Sequence, residues 1–366
     1  MKNIFFSNPL ESYKKNRSAF DNSLKKVLFS GQYLLGKQNE IFEKKLSKYL
    51  KCKYSINVKN GTDALYIAIK SLNLKKNSEV IIPSMTATAT ASAVIQAGLK
   101  IRFCDVDYKL HTSNLEHIKN KFTKNTKLII LVHLHGQSAD VECIKKFCKQ
   151  KNIFLIEDCA QSLGSKYKNK KLGSFGDIST HSFFPTKNLS AFGDGGAIVT
   201  NNLKLYKKIK LISQYGWNKN RISVTNGINS RLDEMQACVL NIKINYLDND
   251  IKIRNDIAKY YFKNIKNKEI LPLVRNKSYH SFHLFVIKSK NRNKVISHLR
   301  KRNIIAGMHY RYPLHAMKIY KNFGSNLPIT EKLSKLFVSL PIYPEIKLSS
   351  IKKICSIINL IDNENK

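Results

Sequence analysis

Lys187 stands in "SFFPTKNLSAFGDGG" (182–196), between an aromatic–proline run and a glycine-rich turn. A lysine acts as a nucleophile only when its ammonium gives up its proton readily, which burial or a cationic neighbour brings about. The flanking residues would hold a lysine inward from a loop. The chain carries 54 lysines, however, and a solvated surface lysine is the ordinary alternative. A second stretch, "NGTDAL" (60–65), joins the β-rich "YSINV" to a helical run. Free N–H groups at a helix N-terminus cradle a phosphate, Gly61 lets the backbone approach it closely, and the Thr62 hydroxyl adds a hydrogen bond. An ordinary turn capped by Thr62 or Asp63 is the competing reading. A third, "LIEDCAQS" (155–162), ends an apolar strand in Glu157 and Asp158. An acid there can hold a positive charge such as a protonated ring nitrogen, and Gln161 can reach the same ligand. The alternative use of such acids is a helix cap.

These residues need a scaffold that brings them together. The first 50 residues read as helical in "SAFDNSLKKVLFS" and "NEIFEKKLSKYL", with a turn at "GQYLLG" between them. From residue 54 the β-rich runs "YSINV", "EVIIP", "KIRFCDV", "KLIILVHL" and "IFLIED" alternate with the helical "TDALYIAIKSL", "ATASAVIQAG" and "DVECIKKFCKQK". Such alternation gives a mostly parallel sheet with helices on both faces, whose ligands bind beyond the carboxyl ends of the strands. "DISTHSFF" and "GGAIVT" add closely spaced strands, and residues 230–265 read as one long helix or two. The strand "SFHLFVIK", the helix "RNKVISHLRKRN" and the strand entry "FVSLPIYPEI" then form a separate pattern. The expected division is a large domain over 1–250 and a smaller α/β domain over 251–366.

A phosphate cradle, a strand-end acid and a pinned lysine on an α/β sheet are together what pyridoxal phosphate requires. That cofactor needs a lysine for its covalent link and an acid partner for its pyridine nitrogen.

Composition narrows the remaining classes. A formal charge of +39 over 366 residues invites a polyanion partner, but the excess is lysine spread along the chain, and only ten arginines are present. With no block of six like charges and no nucleic-acid-binding pattern, a specific nucleic-acid partner is not expected. Seven cysteines without a CxxC pair read as reduced thiols. No metal site follows from their spacing, and His133 and His135 are spaced like strand neighbours facing one side, structural or near the site. No run approaches the roughly 20 apolar residues of a membrane span. The opening "MKNIFFSNPLESY" has too short an apolar segment for a secretory signal. A cytoplasmic protein without a membrane partner is expected.

Almost end to end, the chain resembles the DegT/DnrJ/EryC1/StrS sugar-nucleotide aminotransferases. The resemblance rests on "GQYLLGKQNEIFEKKLSKYL", "NGTDAL", "IIPSMTATATASAVIQAG", "HLHGQSADV", "EDCAQSLGS", "SFFPTKNLSAFGDGGAIVTN", "NSRLDEMQA" and "SLPIYPEI", in that order. It implies the type I aminotransferase fold, a large mixed, mostly parallel sheet domain plus a smaller C-terminal α/β domain. It also implies pyridoxal 5'-phosphate as cofactor and a homodimer with shared active sites. By carry-over Lys187 is the catalytic lysine that bonds the cofactor and moves protons. Asp158 pairs with the pyridine nitrogen, and Gln161 sits near the ring hydroxyl. Ser182 holds the phosphate with the backbone of Gly61, Thr62 and Asp63, and Asn229 reaches the phosphate in the neighbouring subunit. An aromatic or histidine ring usually stacks on the cofactor from the segment that here reads "PSMTATAT". Met85 and Ala87 occupy the candidate positions, and a methionine sulfur can pack on an aromatic face.

The same resemblance implies a substrate. "TATATASAV" is similar to members that aminate C3 of a dTDP-linked 3-keto-6-deoxyhexose with glutamate as donor, for amino-sugar and surface-polysaccharide biosynthesis, such as lipopolysaccharide O-antigen. C4 amination of a UDP- or GDP-linked 4-keto sugar uses much the same motifs. His309, Tyr310 and Arg311 in "MHYRYP" are candidates for holding the nucleotide diphosphate. A dehydratase of the same fold would carry His in place of Lys187. A non-catalytic sensor or polyanion-binding protein is the alternative from another class.

Overall fold

Seven of the β-rich runs pair into one sheet: β1 (Tyr54–Val58), β2 (Glu79–Pro83), β3 (Lys100–Cys104), β4 (Thr126–Val132), β5 (Phe154–Asp158), β6 (Ile178–Ser182) and β7 (Gly196–Thr200). The computed structural model that shows this describes residues 3–363. The strand order is β1-β7-β6-β5-β4-β2-β3. Every pair is parallel except those of β7, which runs antiparallel to both β1 and β6. Alternate side chains serve opposite faces, as strand geometry requires. Val80, Ile82, Leu128, Ile130 and Ile156 pack with Ile67 and Ala68 of the helix Gly61–Ser71 and Val94 of the helix Thr88–Gln96. Ile81, Ile129, Leu131 and Leu155 pack on the other face with Ile144 and Phe147 of the helix Val141–Lys151. Burial on both faces is why these strands read as continuous apolar runs.

The N-terminal helices Arg17–Ser30 and Lys37–Leu50 lie against the helix Glu234–Lys243. Glu234, itself buried, receives the backbone N–H groups of Gly36, Gln38 and Asn39 and the Asn39 side-chain amide. These are donors a helix start leaves without intrahelical partners, so a side chain nearly 200 residues away caps the helix. A Cβ on Gly36 would stand 2.8 Å from that carboxylate, which explains the glycine there.

Residues 230–265 form two helices, Glu234–Lys243 and Leu247–Asn264. Tyr261 of the second helix joins Phe285, Val338, Leu340, Ile354 and Ile358 in a separate apolar cluster around the antiparallel strands Phe285–Lys288 and Phe337–Leu340. The strand expected over 281–288 is shorter because Ser281 and Leu284 give their N–H groups to Gly136 and His135 of the large unit. The expected division at residue 250 falls inside the helix Leu247–Asn264, and Ile4–Phe5 pair in parallel with Ile304–Ile305. We therefore propose a smaller unit that draws on both ends of the chain. Met85, Val106, Val132 and Leu134 meet Leu284, Val286, Leu333 and Phe337 in one cluster, so the two units share packed surface. Among the described residues no helix is long and apolar enough to cross a membrane.

Candidate active site

The two acids that end β5 point to different tasks because successive strand residues face opposite sides. Glu157 receives Nε2–H of His133 (3.0 Å) and the backbone N–H groups of Gly173 (2.9 Å), Phe175 (2.7 Å) and Gly176 (2.7 Å). Burial pushes its carboxyl up, but the His133 hydrogen bond and these N–H groups outweigh that and leave it below its ordinary value. Nδ1 of His133 accepts the Ala139 N–H, so neither ring nitrogen has a lone pair to spare. Cys159 lies close to both residues, yet that set is a structural anchor and not a metal site. His133 and His135 do not face one side of a strand as expected. β4 stops at Val132, and His135 sits in a left-handed turn (φ 62°) with its ring donating to the His309 carbonyl.

Asp158 faces the helix Thr88–Gln96. One carboxylate oxygen accepts the Ala160 N–H (3.1 Å) and the other the Thr90 hydroxyl (3.2 Å). Burial raises its carboxyl above the ordinary value despite those bonds and the positive charge of Lys187. Lys187 responds in kind: burial brings its ammonium down to about 8, while Asp158 pulls the other way. His135 and His309 are pushed by burial to about 3 and about 4, so both stay neutral beside the lysine at neutral pH.

The loop carrying Lys187 is pinned at several points. Phe183, packed against Phe42, donates its N–H to Gly195 and accepts from Ala191, which closes the loop on itself. Asn188 donates to the Ser281 carbonyl, Lys243 donates to Ser190, and Gln236 accepts the Phe192 N–H. Gly196, first residue of β7, pairs with both Ser182 and Val58, so the ends of β6 and β1 converge on it. A Cβ on Gly196 would sit 2.4 Å from the Asn60 carbonyl, and one on Gly61 would sit 2.7 Å from Ser182 Cβ. Ser182 and the start of the helix Gly61–Ser71 are thus in contact, with two glycines permitting it. The cap of that helix is neither Thr62 nor Asp63 but Asn60, whose side chain accepts the Asp63 N–H (2.8 Å). The Asp63 N–H is engaged by this cap and its carboxylate accepts from Ser230, while the Gly61 and Thr62 N–H groups remain as donors at the helix start.

A buried strand-end acid, a lysine with a lowered ammonium value and a helix start against Ser182 thus stand on one sheet end, and comparison with known proteins gives the family of the whole chain. Residues 14–359 fit the DegT/DnrJ/EryC1/StrS aminotransferase family. The chain belongs to that family. It is 40% identical over 339 residues to a dTDP-3-amino-3,6-dideoxy-alpha-D-galactopyranose transaminase of Aneurinibacillus thermoaerophilus, covering 92% of this chain and 93% of that one. It is 33% identical over 326 residues to a GDP-perosamine synthase of Escherichia coli O157:H7, covering 87% and 88%. The solved structure of DesV from S. venezuelae superposes with a TM-score of 0.95 at 30% identity and 99% coverage of both chains. The protein is a sugar aminotransferase of the pyridoxal-phosphate-dependent type and has that fold. Its residues fit the cofactor: Lys187 for the covalent link, Asp158 for a cationic ring nitrogen, and the contact of Gly61 with Ser182 for the phosphate end.

The other expected site residues are less uniformly placed in this aminotransferase. Gln161 accepts the His135 N–H (2.7 Å) and donates to the Tyr310 hydroxyl (2.8 Å), so it ties the two units together beside Asp158. Met85 is fully buried in the cluster shared by the two units, whereas Ala87 is half-buried at the cap of the helix Thr88–Gln96. Of the two, Ala87 alone presents surface. His309, Tyr310 and Arg311 do not form the single patch expected of a diphosphate site. Tyr310 turns inward to Gln161, and His309 packs on Phe6 and bonds Ser339. Only Arg311 is exposed, over the Tyr312 ring. Asn229 is exposed as well, while the adjacent Ser230 is buried on Asp63. Sequence reasoning missed Thr90, although its place one turn after Thr86 in "TATAT" was a signal.

Proposed function

We propose that this aminotransferase moves an amino group from glutamate to C3 of a dTDP-linked 3-keto-6-deoxyhexose, in the cytoplasm and as a homodimer. The observation that carries the chemistry is a buried Lys187, its ammonium brought down to about 8, within electrostatic reach of the buried Asp158 carboxylate at the end of β5. The name of the Aneurinibacillus relative supports the position aminated. Bound pyridoxal phosphate supplies an electron sink for proton loss at the amino-bearing carbon. Lys187, with a value of about 8, can both accept and return that proton near neutral pH. Asp158 would keep the ring nitrogen charged, and Gln161, held between the His135 N–H and the Tyr310 hydroxyl of the smaller unit, would orient the ring. The Gly61 and Thr62 N–H groups with Ser182 hold the phosphate. Arg311 offers the exposed cation of the "HYR" segment for the nucleotide.

For the dimer, the support is an exposed apolar run of Leu28, Phe29, Tyr33, Leu34 and Leu35, in which Phe29 is 90% exposed. Leu34 and Asn229 line one groove of about 270 Å³, so a second copy covering the run would meet Asn229. Asn229 would then serve the partner's phosphate site while Ser230 braces its own.

An assay pairing glutamate with a panel of dTDP-linked 3-keto and UDP- or GDP-linked 4-keto sugars tests the substrate. Release of 2-oxoglutarate beyond one equivalent per site only with the 3-keto sugar is expected. Turnover of a 4-keto sugar instead would move the assignment to C4, the reading that the GDP-perosamine relative favours. Lys187→Ala should abolish turnover and borohydride trapping of the cofactor, and retained transamination would overturn the role of Lys187. Protein that purifies without a dialysis-resistant yellow chromophore and fails to bind the cofactor would favour a sensor.

A further inference from the structure

Among the described residues the Asp158 carboxylate receives two hydrogen bonds, one to each oxygen, and only one comes from a side chain. That side chain is Thr90, fully buried in the first turns of the helix Thr88–Gln96. Its hydroxyl also lies 3.2 Å from the Thr86 hydroxyl, itself 3% exposed. Thr90 has one proton, and Asp158 takes it. Thr86 must therefore donate to Thr90, which leaves a chain of two hydroxyls directed at one carboxylate oxygen. The adjacent Glu157 cannot substitute for Asp158, since three donors commit it to the 173–176 loop and a fourth to His133.

We propose that Thr90, backed by Thr86, is a positioning residue for the reaction: its hydroxyl fixes the orientation of the Asp158 carboxylate and keeps it charged. The inference rests on the reading that Asp158 partners the ring nitrogen. Burial works against the charged form of Asp158, so the hydroxyl opposes the largest influence on that group. Lys187, His133, Tyr310 and Cys159 are the other titratable groups that feel the Asp158 charge, and a change at Thr90 leaves all four in place. The side chain that does the positioning comes from the helix that follows β2, and the acid from β5, with β4 between those strands. The helix Thr88–Gln96 thus sets the acid across the sheet end.

The test uses the holoenzyme with Thr90→Val, which keeps the shape and deletes the hydroxyl, Thr90→Ser, which keeps the hydroxyl, and Thr86→Val. A hydrogen bond to a charged group is worth about tenfold or more in an equilibrium. Thr90→Val is therefore expected to weaken pyridoxal phosphate binding about tenfold and to raise the acid-side midpoint of the bound cofactor's absorbance by about one pH unit. Thr90→Ser should restore both to within about twofold, and Thr86→Val should give a smaller shift in the same direction. Unchanged affinity and midpoint in Thr90→Val, or a Thr90→Ser protein as impaired as Thr90→Val, would overturn the proposal. Asp158→Asn separates the two levels. If it leaves affinity and spectrum unaltered, the role of Asp158 itself falls. If it destroys them while Thr90→Val does not, only the role of Thr90 falls.

Discussion

Adjacent acids at the end of β5 should respond to neutralisation with opposite signs, and Glu157→Gln against Asp158→Asn measures this. In Glu157→Gln the remaining carbonyl oxygen can keep the Phe175 and Gly176 N–H groups, while the new amide confronts the donors of Gly173 and His133. His133 cannot escape by moving its proton, because Nδ1 already accepts from Ala139. Two hydrogen bonds to charge are lost, at about 1.5–3 kcal/mol each, for a cost of about 3–6 kcal/mol. Asp158 differs: its raised carboxyl means that the folded protein binds a proton there more readily than the unfolded chain does. Charging it therefore costs stability above the raised value, and the cost disappears at pH values below the ordinary carboxylate range. Cofactor-free Asp158→Asn should be as stable as the parent at pH 7 or more stable, whereas Glu157→Gln should be far less so. Glu157, lowered on folding, contributes stability that is present above the ordinary carboxylate value and is lost as pH falls through its folded value. Urea unfolding followed by circular dichroism at pH 7 and near pH 4 supplies the comparison. A Glu157→Gln loss below about 1 kcal/mol, or a comparable loss in cofactor-free Asp158→Asn, would refute the division of labour.

Three further outcomes follow from the geometry. Gly61→Ala forces a Cβ to 2.7 Å from Ser182 Cβ, so the cradle must open, and equilibrium dialysis should show pyridoxal phosphate affinity falling about tenfold or more. In cofactor-free protein an amine-reactive reagent followed by peptide mapping should label Lys187 with a midpoint near pH 8, and Asp158→Asn should lower that midpoint because Asp158 raises it. Lys171 and Lys243 also come down to about 8 through burial, which is why the peptides must be resolved. Phe29→Asp, on the exposed apolar run, should dissociate a dimer in sedimentation velocity and reduce activity with it.

The parallel strands were legible because burial on both faces gives uninterrupted apolar runs such as Leu128–Val132, and the helices because Asn and Gly punctuate their starts. The assembly of Lys187, Asp158 and the cradle was legible through the resemblance; singly, each motif had an ordinary structural use. What stayed hidden was the partner choice of polar side chains. Nothing local distinguishes Glu157 from Asp158, and the difference lies in a loop at 173–176 that folds back onto one of them. Asn60 outcompeted Thr62 and Asp63 as the cap because its extended backbone turns its side chain onto the Asp63 N–H. The inward turn of His309 and Tyr310 depends on Ser339 and Gln161, far away in sequence.

The cap that Glu234 places on the helix Lys37–Leu50 also orders events in time. Asn39 and Glu234 are 195 residues apart, so a ribosome making roughly 5–20 residues per second leaves the early helices without that partner for about 10–40 s. Ile4 and Phe5 wait longer still, for Ile304 and Ile305. Within that interval Phe42, Leu46 and Leu50, side chains destined for the core, wait first for Leu163, Phe183 and Val199 and last for Leu232, Ala237 and Leu240. The helices Arg17–Ser30 and Lys37–Leu50 are thus among the last elements to be completed, and productive folding of this enzyme is expected to depend on their protection until Glu234 has emerged.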